Sequence, residues 1–248
     1  MLLGLVGSEM CIRDRFYDKA ESFNLYPTVD DKYFTYEELE KKIKKLQTDK
    51  DGSLIILYAQ NKDEQYTYIE SAKEKGYEVL LLDSPIIPHL MQKLESKKEK
   101  IKFSRVDSDT LENLIKKDEE VISKLTDEEK EKLKPMIETA VENEKYTVQL
   151  EALDSNSMPF MLAQPEFMRR MKEMQQTGGG GAMGNLPEMY SLIVNTNHEL
   201  VGKILNTRTE KKRNSLIKQS IDLAKLSQNN LTGKDLTEFI NRSIDLIK

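Results

Sequence analysis

Three short, largely apolar runs constrain this chain more than any other feature. The first, Leu54-Ile-Ile-Leu-Tyr58, has no polar break; Tyr77-Glu-Val-Leu-Leu-Leu82 and Ile101-Lys-Phe-Ser-Arg-Val106 follow it. A strand apolar on both sides must be covered on both sides, which is the signature of a parallel strand between helical layers. Helical patterns near 62–75 and 86–98 separate the runs, and Gly76 stands where a helix C′ residue is wanted. Right-handed crossovers then give a small three-layer αβα unit with a parallel sheet. The strand-to-helix turns read Ala59-Gln-Asn-Lys62 and Asp83-Ser-Pro85. Neither offers a glycine-rich cradle or a Lys-Ser/Thr pair for phosphate, so the sheet is read as structural. Upstream, 16–50 reads as polar and helical, with Thr35-Tyr-Glu-Glu38 as a capping box opening a helix over Glu37 to Leu46. A further helix is expected from Ser108.

The pattern then changes. Residues 117–134 are nearly all charged and are expected to be helical, with a second capping box at Thr126-Asp-Glu-Glu129. A domain boundary is placed near residue 125, with a helix beyond it to about 143. Strands are expected at Lys145-Tyr-Thr-Val-Gln-Leu150, Pro159-Phe-Met-Leu-Ala163 and Tyr190-Ser-Leu-Ile-Val194. The last third is helical, with Thr209 and Thr232 as N-caps. One helix carries Leu216, Ile217, Ile221, Leu223 and Ala224; the next carries Leu236, Phe239, Ile240, Ile244 and Ile247. Joined around Asn229-Asn230, they make a hairpin whose apolar face is buried either on its own sheet or on a second copy. The fold class is therefore α/β followed by α+β: an αβα unit, then a small mixed sheet with helices and a C-terminal helical hairpin.

Composition narrows the functions. A net charge of −5 argues against nucleic acid as a partner, because phosphate binding needs a basic face. No apolar run is long enough to cross a bilayer. The single cysteine, Cys11, forms no internal disulfide and fits a reducing cytosol. His89 and His198 are isolated, so no metal-ligand spacing appears, and no nucleophile elbow accompanies them. Asp107 and Asp109 precede a helix and are read as caps rather than acid/base groups. No catalytic, cofactor or metal residues are assigned. Residues 1–15 contain Met10-Cys-Ile-Arg-Asp-Arg15, which looks like translated sequencing adapter, and are expected to be an artefact.

Seven of the eleven methionines lie between 158 and 189. Phe167, Met171 and Met174 recur at i, i+4 and i+7 with Met168 beside them, so they share one helical stripe. Methionine is unbranched and polarizable and re-packs against many apolar shapes. From the pattern alone this stripe faces either the core or an adaptable binding surface. Gly178 to Gly181 follow, with no lysine or hydroxyl placed for a phosphate loop.

Six phrases carry a resemblance. They are Lys32-Tyr-Phe-Thr-Tyr36, Gly76-Tyr-Glu-Val-Leu-Leu, Phe103-Ser-Arg-Val-Asp107, Met168-Arg-Arg-Met-Lys172, Val194-Asn-Thr-Asn-His-Glu-Leu-Val201 and Phe239-Ile-Asn-Arg-Ser243. In this order, over 16–248, the chain resembles the ninety-kilodalton heat-shock chaperone family in its bacterial form. The resemblance implies that 16–125 is the last part of the middle domain and 126–248 the C-terminal dimerisation domain. It implies client contact at Phe167, Met168, Met171 and Met174. The implied homodimer interface is Leu216, Ile217, Ile221, Leu223, Leu236, Phe239, Ile240, Ile244 and Ile247. ATP and Mg would belong to the parent protein's N-terminal domain, upstream of this chain, so the chain itself is expected to be no enzyme. The expected partners are a second copy and unfolded or partly folded proteins, in the cytoplasm, with no nucleic acid and no membrane. A helical adaptor with one dedicated partner is the alternative.

Overall fold

The computed structural model describes residues 23–84, 87–118, 121–141, 145–171 and 189–247. The chain divides into two compact units, one taking residues up to Lys62 and Tyr66–Val106, the other Asp63–Gln65 and Asp107 onward.

The first unit holds strands β1 (Tyr26–Pro27) and β2 (Tyr33–Phe34), helix α1 (Tyr36–Gln47), β3 (Leu54–Ala59), α2 (Tyr66–Glu74), β4 (Val79–Leu81), α3 (Ile87–Lys97) and β5 (Ile101–Arg105). β3 lies between β4 and β5 and is parallel to both. Every residue of β3 is buried, as a strand sandwiched by helices must be. Ile56 and Tyr58 pack with Leu39 and Ile43 of α1 and with Met91 and Leu94 of α3 in one core. Thr35 and Glu38 close the capping box: the Thr35 N–H donates to Glu38 Oε2 at 2.9 Å, and the Glu38 N–H returns to Thr35 Oγ1. Gly76 has φ +75 and ends α2, a backbone state that costs glycine no strain. Gln47 is buried, yet its amide donates to Ile55 O at 2.9 Å and accepts the Glu78 N–H at 2.7 Å, so no polar atom is stranded there.

One expectation is corrected here. Residues 26–34 are not helical but form an antiparallel hairpin, β1 on β2. Pro27 and the turn residue Asp31, at φ +59, break the helical pattern. Backbone bonding of Val29 N–H to Val79 O holds the hairpin on the edge of β4. Ion pairs Lys73–Asp30 and Lys62–Asp31, both at 2.7 Å, tie its turn down.

The second unit holds α4 (Leu111–Leu114), α5 (Asp127–Glu138), β6 (Tyr146–Glu151), β7 (Phe160–Ala163), β8 (Tyr190–Asn195), α6 (Glu199–Asn206), α7 (Glu210–Ser227) and α8 (Gly233–Ile247). Residues 166–171 are also helical. β8 is central, parallel to β6 and antiparallel to β7, which makes the expected mixed sheet. Val148, Phe160, Leu162, Leu192 and Val194 face Leu133 and Ile137 of α5, Val201 and Ile204 of α6, and Ile217, Ile221 and Ala224 of α7.

Among the described residues of the charged stretch 117–134, the helix begins at Asp127. Thr126 and Glu129 form the capping box that starts α5, and the backbone just before it bonds to Asn197 and Ser123 instead of turning helically. The helix expected from Ser108 is a single turn. Its cap is Thr110 rather than either aspartate: Thr110 Oγ1 accepts the Asn113 N–H at 3.3 Å. Asp109 accepts the Thr110 N–H and Asn113 Nδ2, while the buried Asp107 accepts Gln65 Nε2 at 2.8 Å.

Candidate functional site

Among the described residues of the second unit, two helical surfaces leave large apolar side chains open, and in each the way the helix is turned decides which ones. On 166–171, Phe167 is 70% exposed and Arg169 only 3% exposed. An ordinary amphipathic helix does the reverse. Glu166 makes the inward turn of Arg169 tolerable: its Oε1 accepts Arg169 Nη2 at 2.6 Å and Arg170 Nε at 2.7 Å. A charge taken out of water needs such a partner, and a charge-assisted bond is stronger than a neutral one. Met168 and Met171 are half-buried along the flank, and Met174 lies outside the described residues. The stripe found in the sequence is therefore split, with its Phe167 end open to solvent.

The other surface is the terminal helical pair. α7 turns Ile217, Ile221 and Ala224 inward, with Leu216 half-buried beside them. Leu223 stays 49% exposed and Leu226 is also exposed, at i and i+3 on the opposite side. On α8, Phe239 is buried and Leu236 half-buried, whereas Ile240 and Ile244 are each 47% exposed. The side chain of Ile247 lies outside the described residues. The nine residues singled out for an interface thus divide: some complete the unit's own core and Leu223, Ile240 and Ile244 remain open.

Polar groups fix how α7 and α8 meet. Lys218 Nζ reaches Glu238 Oε2 at 3.3 Å, Gln219 Nε2 donates to Ser243 Oγ at 2.8 Å, and Arg242 Nη2 pairs with Asp222 Oδ2. From Lys218–Glu238 to Asp222–Arg242 both numbers rise by four, so these bonds gather within about one turn of each helix where the two meet. Asp222 is buried, and that burial raises its carboxyl above the usual range while Arg242, Lys225 and Lys218 pull it back. Neither the pair nor the meeting point shows in an apolar count, although Asp222 among inward-facing residues hints at a buried partner.

Two further clusters escaped sequence reasoning. Tyr146 and Tyr190 stack at 5.8 Å between centroids where β6 meets β8, with Lys225 Nζ 5.2 Å from the Tyr146 ring. Glu151, at the end of β6, accepts Asn113 Nδ2 at 2.8 Å and Thr110 Oγ1 at 3.3 Å. Burial raises its carboxyl above the ordinary value, and Asp109 and Glu112 add to the rise. Both histidines are accounted for: His198 caps α6, its Nδ1 accepting the Leu200 N–H at 3.1 Å, and His89 is exposed. Among the described residues no group of three or more His, Cys, Asp or Glu side chains could hold a metal ion, and no helix is long and apolar enough to cross a membrane.

No protein-family model matches the chain. Individual relatives do. The chaperone protein HtpG of Bacteroides thetaiotaomicron is 35% identical over 306 aligned positions, covering 96% of this chain and 45% of the relative. HtpG of Porphyromonas gingivalis is 38% identical over 221 positions, covering 88% of this chain and 32% of the relative. HtpG of Bacteroides fragilis matches over the same 96% of this chain. The chain belongs to the HtpG chaperone family. It spans less than half the length of these HtpG relatives. The αβα unit, the mixed sheet and the terminal helical pair are the fold class that the sequence pattern predicts. One detail of the organisation differs in placement: residues 107–125, which the resemblance groups with the middle domain, pack in the second compact unit.

Proposed function

We propose that this chain is the client-contacting and self-associating portion of an HtpG chaperone, the end of its middle domain followed by its dimerisation domain. The observation that carries the reading is the inverted helix, with Phe167 out and Arg169 in. Holding a guanidinium inward in order to leave a phenyl ring in water costs stability, and such a cost suits a surface that meets apolar partners. Phe167, Met168 and Met171, continued by Met174, would take up apolar segments of unfolded or partly folded proteins. Burial gives roughly 25 cal/mol per Å² before ordering costs, so small contacts of this kind are weak and promiscuous. Self-association through Leu223, Ile240 and Ile244 would bring two such helices together and raise the local concentration of binding surface. The binding is physical: no residue here is assigned a chemical step. ATP and Mg would act in the parent protein outside this chain. A cytoplasmic setting fits the single cysteine, and the net charge of −5 disfavours nucleic acid.

The test is aggregation of a thermally unfolded model protein in the presence of the chain and of its Phe167→Glu, Met171→Glu double variant. Loss of at least half the suppression, with unchanged melting, supports the site; full suppression by the double variant refutes it. Light scattering on the chain and on a version ending at Asn229 tests self-association. A two-fold mass that the shorter version loses supports it, and a monomeric intact chain rejects it.

A further inference from the structure

The phrase Val194-Asn-Thr-Asn-His in the resemblance has no part in either open surface, yet it forms a connected network of side-chain hydrogen bonds. Asn195, buried, accepts the N–H groups of Leu153 (3.2 Å) and Asn197 (3.0 Å) and donates to Asp154 O (2.7 Å). Thr196 Oγ1 donates to Glu151 O at 3.1 Å. The turn after β8 is thus tied to the β6–β7 connection by bonds of Asn195 and Thr196 that do not involve 121–125.

Into this turn fits the segment 121–125, just ahead of α5. Asn197 Oδ1 accepts the Lys124 N–H at 2.7 Å, and its Nδ2 donates to Ile122 O and Leu153 O, each at 3.0 Å. Ser123 Oγ lies 3.0 Å from Thr196 Oγ1 and accepts the Leu125 N–H at 3.2 Å. Lys124 Nζ reaches Asn197 O at 3.3 Å. Almost nothing apolar assists. Ile122 is 86% exposed and Val121 is exposed; only Leu125, at the end, rests on the core. α5 does not need the segment either, because its capping box satisfies its own first turn.

We propose that 121–125 is a releasable strap and that Asn197 is the positioning residue that latches it into a preformed socket. A hydrogen bond that replaces one to water adds little net stability, whereas each buried core side chain adds several times as much, so the strap is the element that opens while the core stays shut. Opening frees the backbone ahead of α5 and leaves the socket intact for re-latching, because Asn195 and Thr196 keep their own partners. Such a joint lets the second unit change its connection to the preceding chain without unfolding.

Native-state hydrogen exchange on the full chain tests this at the Lys124 and Leu125 amides, with the Leu192 and Val194 amides of β8 as reference. In the unaltered chain the strap amides should exchange at least about tenfold faster than the reference amides, by a local opening insensitive to mild denaturant. Asn197→Ala should speed Lys124 and Leu125 a further ten-fold or more and the β8 amides less than about threefold. Asn197→Asp keeps the acceptor for Lys124 but loses both donors, and should fall between. Ser123→Ala, which leaves Asn197 in place, should speed Leu125 more than Lys124, and it keeps the test alive if the Asn197 variants fail to fold. Strap and β8 amides that exchange through one shared opening, or variants that speed all of them equally, would overturn the proposal.

Discussion

The two units spend their apolar residues differently. In the first, the central strand β3 is buried along its whole length, and its exposed large residues, such as Tyr33, Leu46 and Tyr66, are scattered over separate elements. In the second, β6 alternates between exposed Thr147 and Gln149 and the more buried Tyr146, Val148 and Leu150, and the exposed apolar residues include two helical pairs: Leu223 with Leu226, Ile240 with Ile244. A scattered exposed side chain is ordinary on any protein, whereas a row at helical spacing is a face that something can cover. Buried polar bonding differs in extent. In the first unit the buried Gln47 bridges β3 and the chain ahead of β4, while in the second Asn195, Asn197, Glu151 and Asp222 each tie separate segments together. The first unit is built as a scaffold and the second as a set of joints and open faces.

The sharpest way to break this comparison is to cut a cavity in the scaffold. Leu57→Ala, at a fully buried central position, should cost roughly 2–5 kcal/mol. If the units melt separately, calorimetry will show only the first unit's transition move; a matching fall in the second would join them into one cooperative block. Next is the contact between α7 and α8. Asp222→Ala leaves Arg242 without its ion partner and should cost about 2 kcal/mol, less than a fully buried pair because Arg242 keeps some contact with water. Asp222→Leu with Arg242→Met should recover most of it, and urea titration of the single and paired variants checks both. A loss of about 1 kcal/mol is expected for Thr126→Ala, which opens the capping box of α5.

Glu151 supplies a pH test with a definite sign. Burial raises its folded-state pKa above the ordinary carboxylate value, so the folded form holds more protons than the unfolded chain in the window between the two. Its contribution to stability is therefore full below about pH 4.3, the ordinary glutamate value, and is lost as pH rises through the folded-state value. Glu151→Gln should flatten that part of the stability profile, and equal slopes for the two proteins would place the titration elsewhere. Smallest of all should be the effect of Ile240→Glu on unfolding, within about 0.5 kcal/mol, because the side chain is half in water. The same change should halve the solution mass if α8 is an interface, so the two unfolding curves are compared at a dilution where both proteins are monomeric.

Much of the fold was legible in advance for identifiable reasons. β3 was legible because a strand buried on both sides cannot tolerate polar breaks, β4 and β5 because short apolar runs follow helical patterns, and α1 and α5 because each opens with a capping box. The hairpin of β1 and β2 was not, since two-residue strands carry too few side chains to show a period. At the candidate site the methionine stripe was legible, but which side of 166–171 faces the sheet was not. Periodicity names a face and leaves its direction open; here Glu166, one turn before Arg169 and Arg170, lets the cation turn inward.

By itself, then, the sequence determined most element types, the order of the two units and the residues that would group on each helix, because local sterics, capping and periodic patterning act over a few neighbouring residues. Only the tertiary structure decided which apolar residues close the core and which stay open, and where the chain divides. It also decided that Asn197 meets Lys124 across 73 residues of sequence. Those outcomes depend on partners distant along the chain, whose pairing has no local signature.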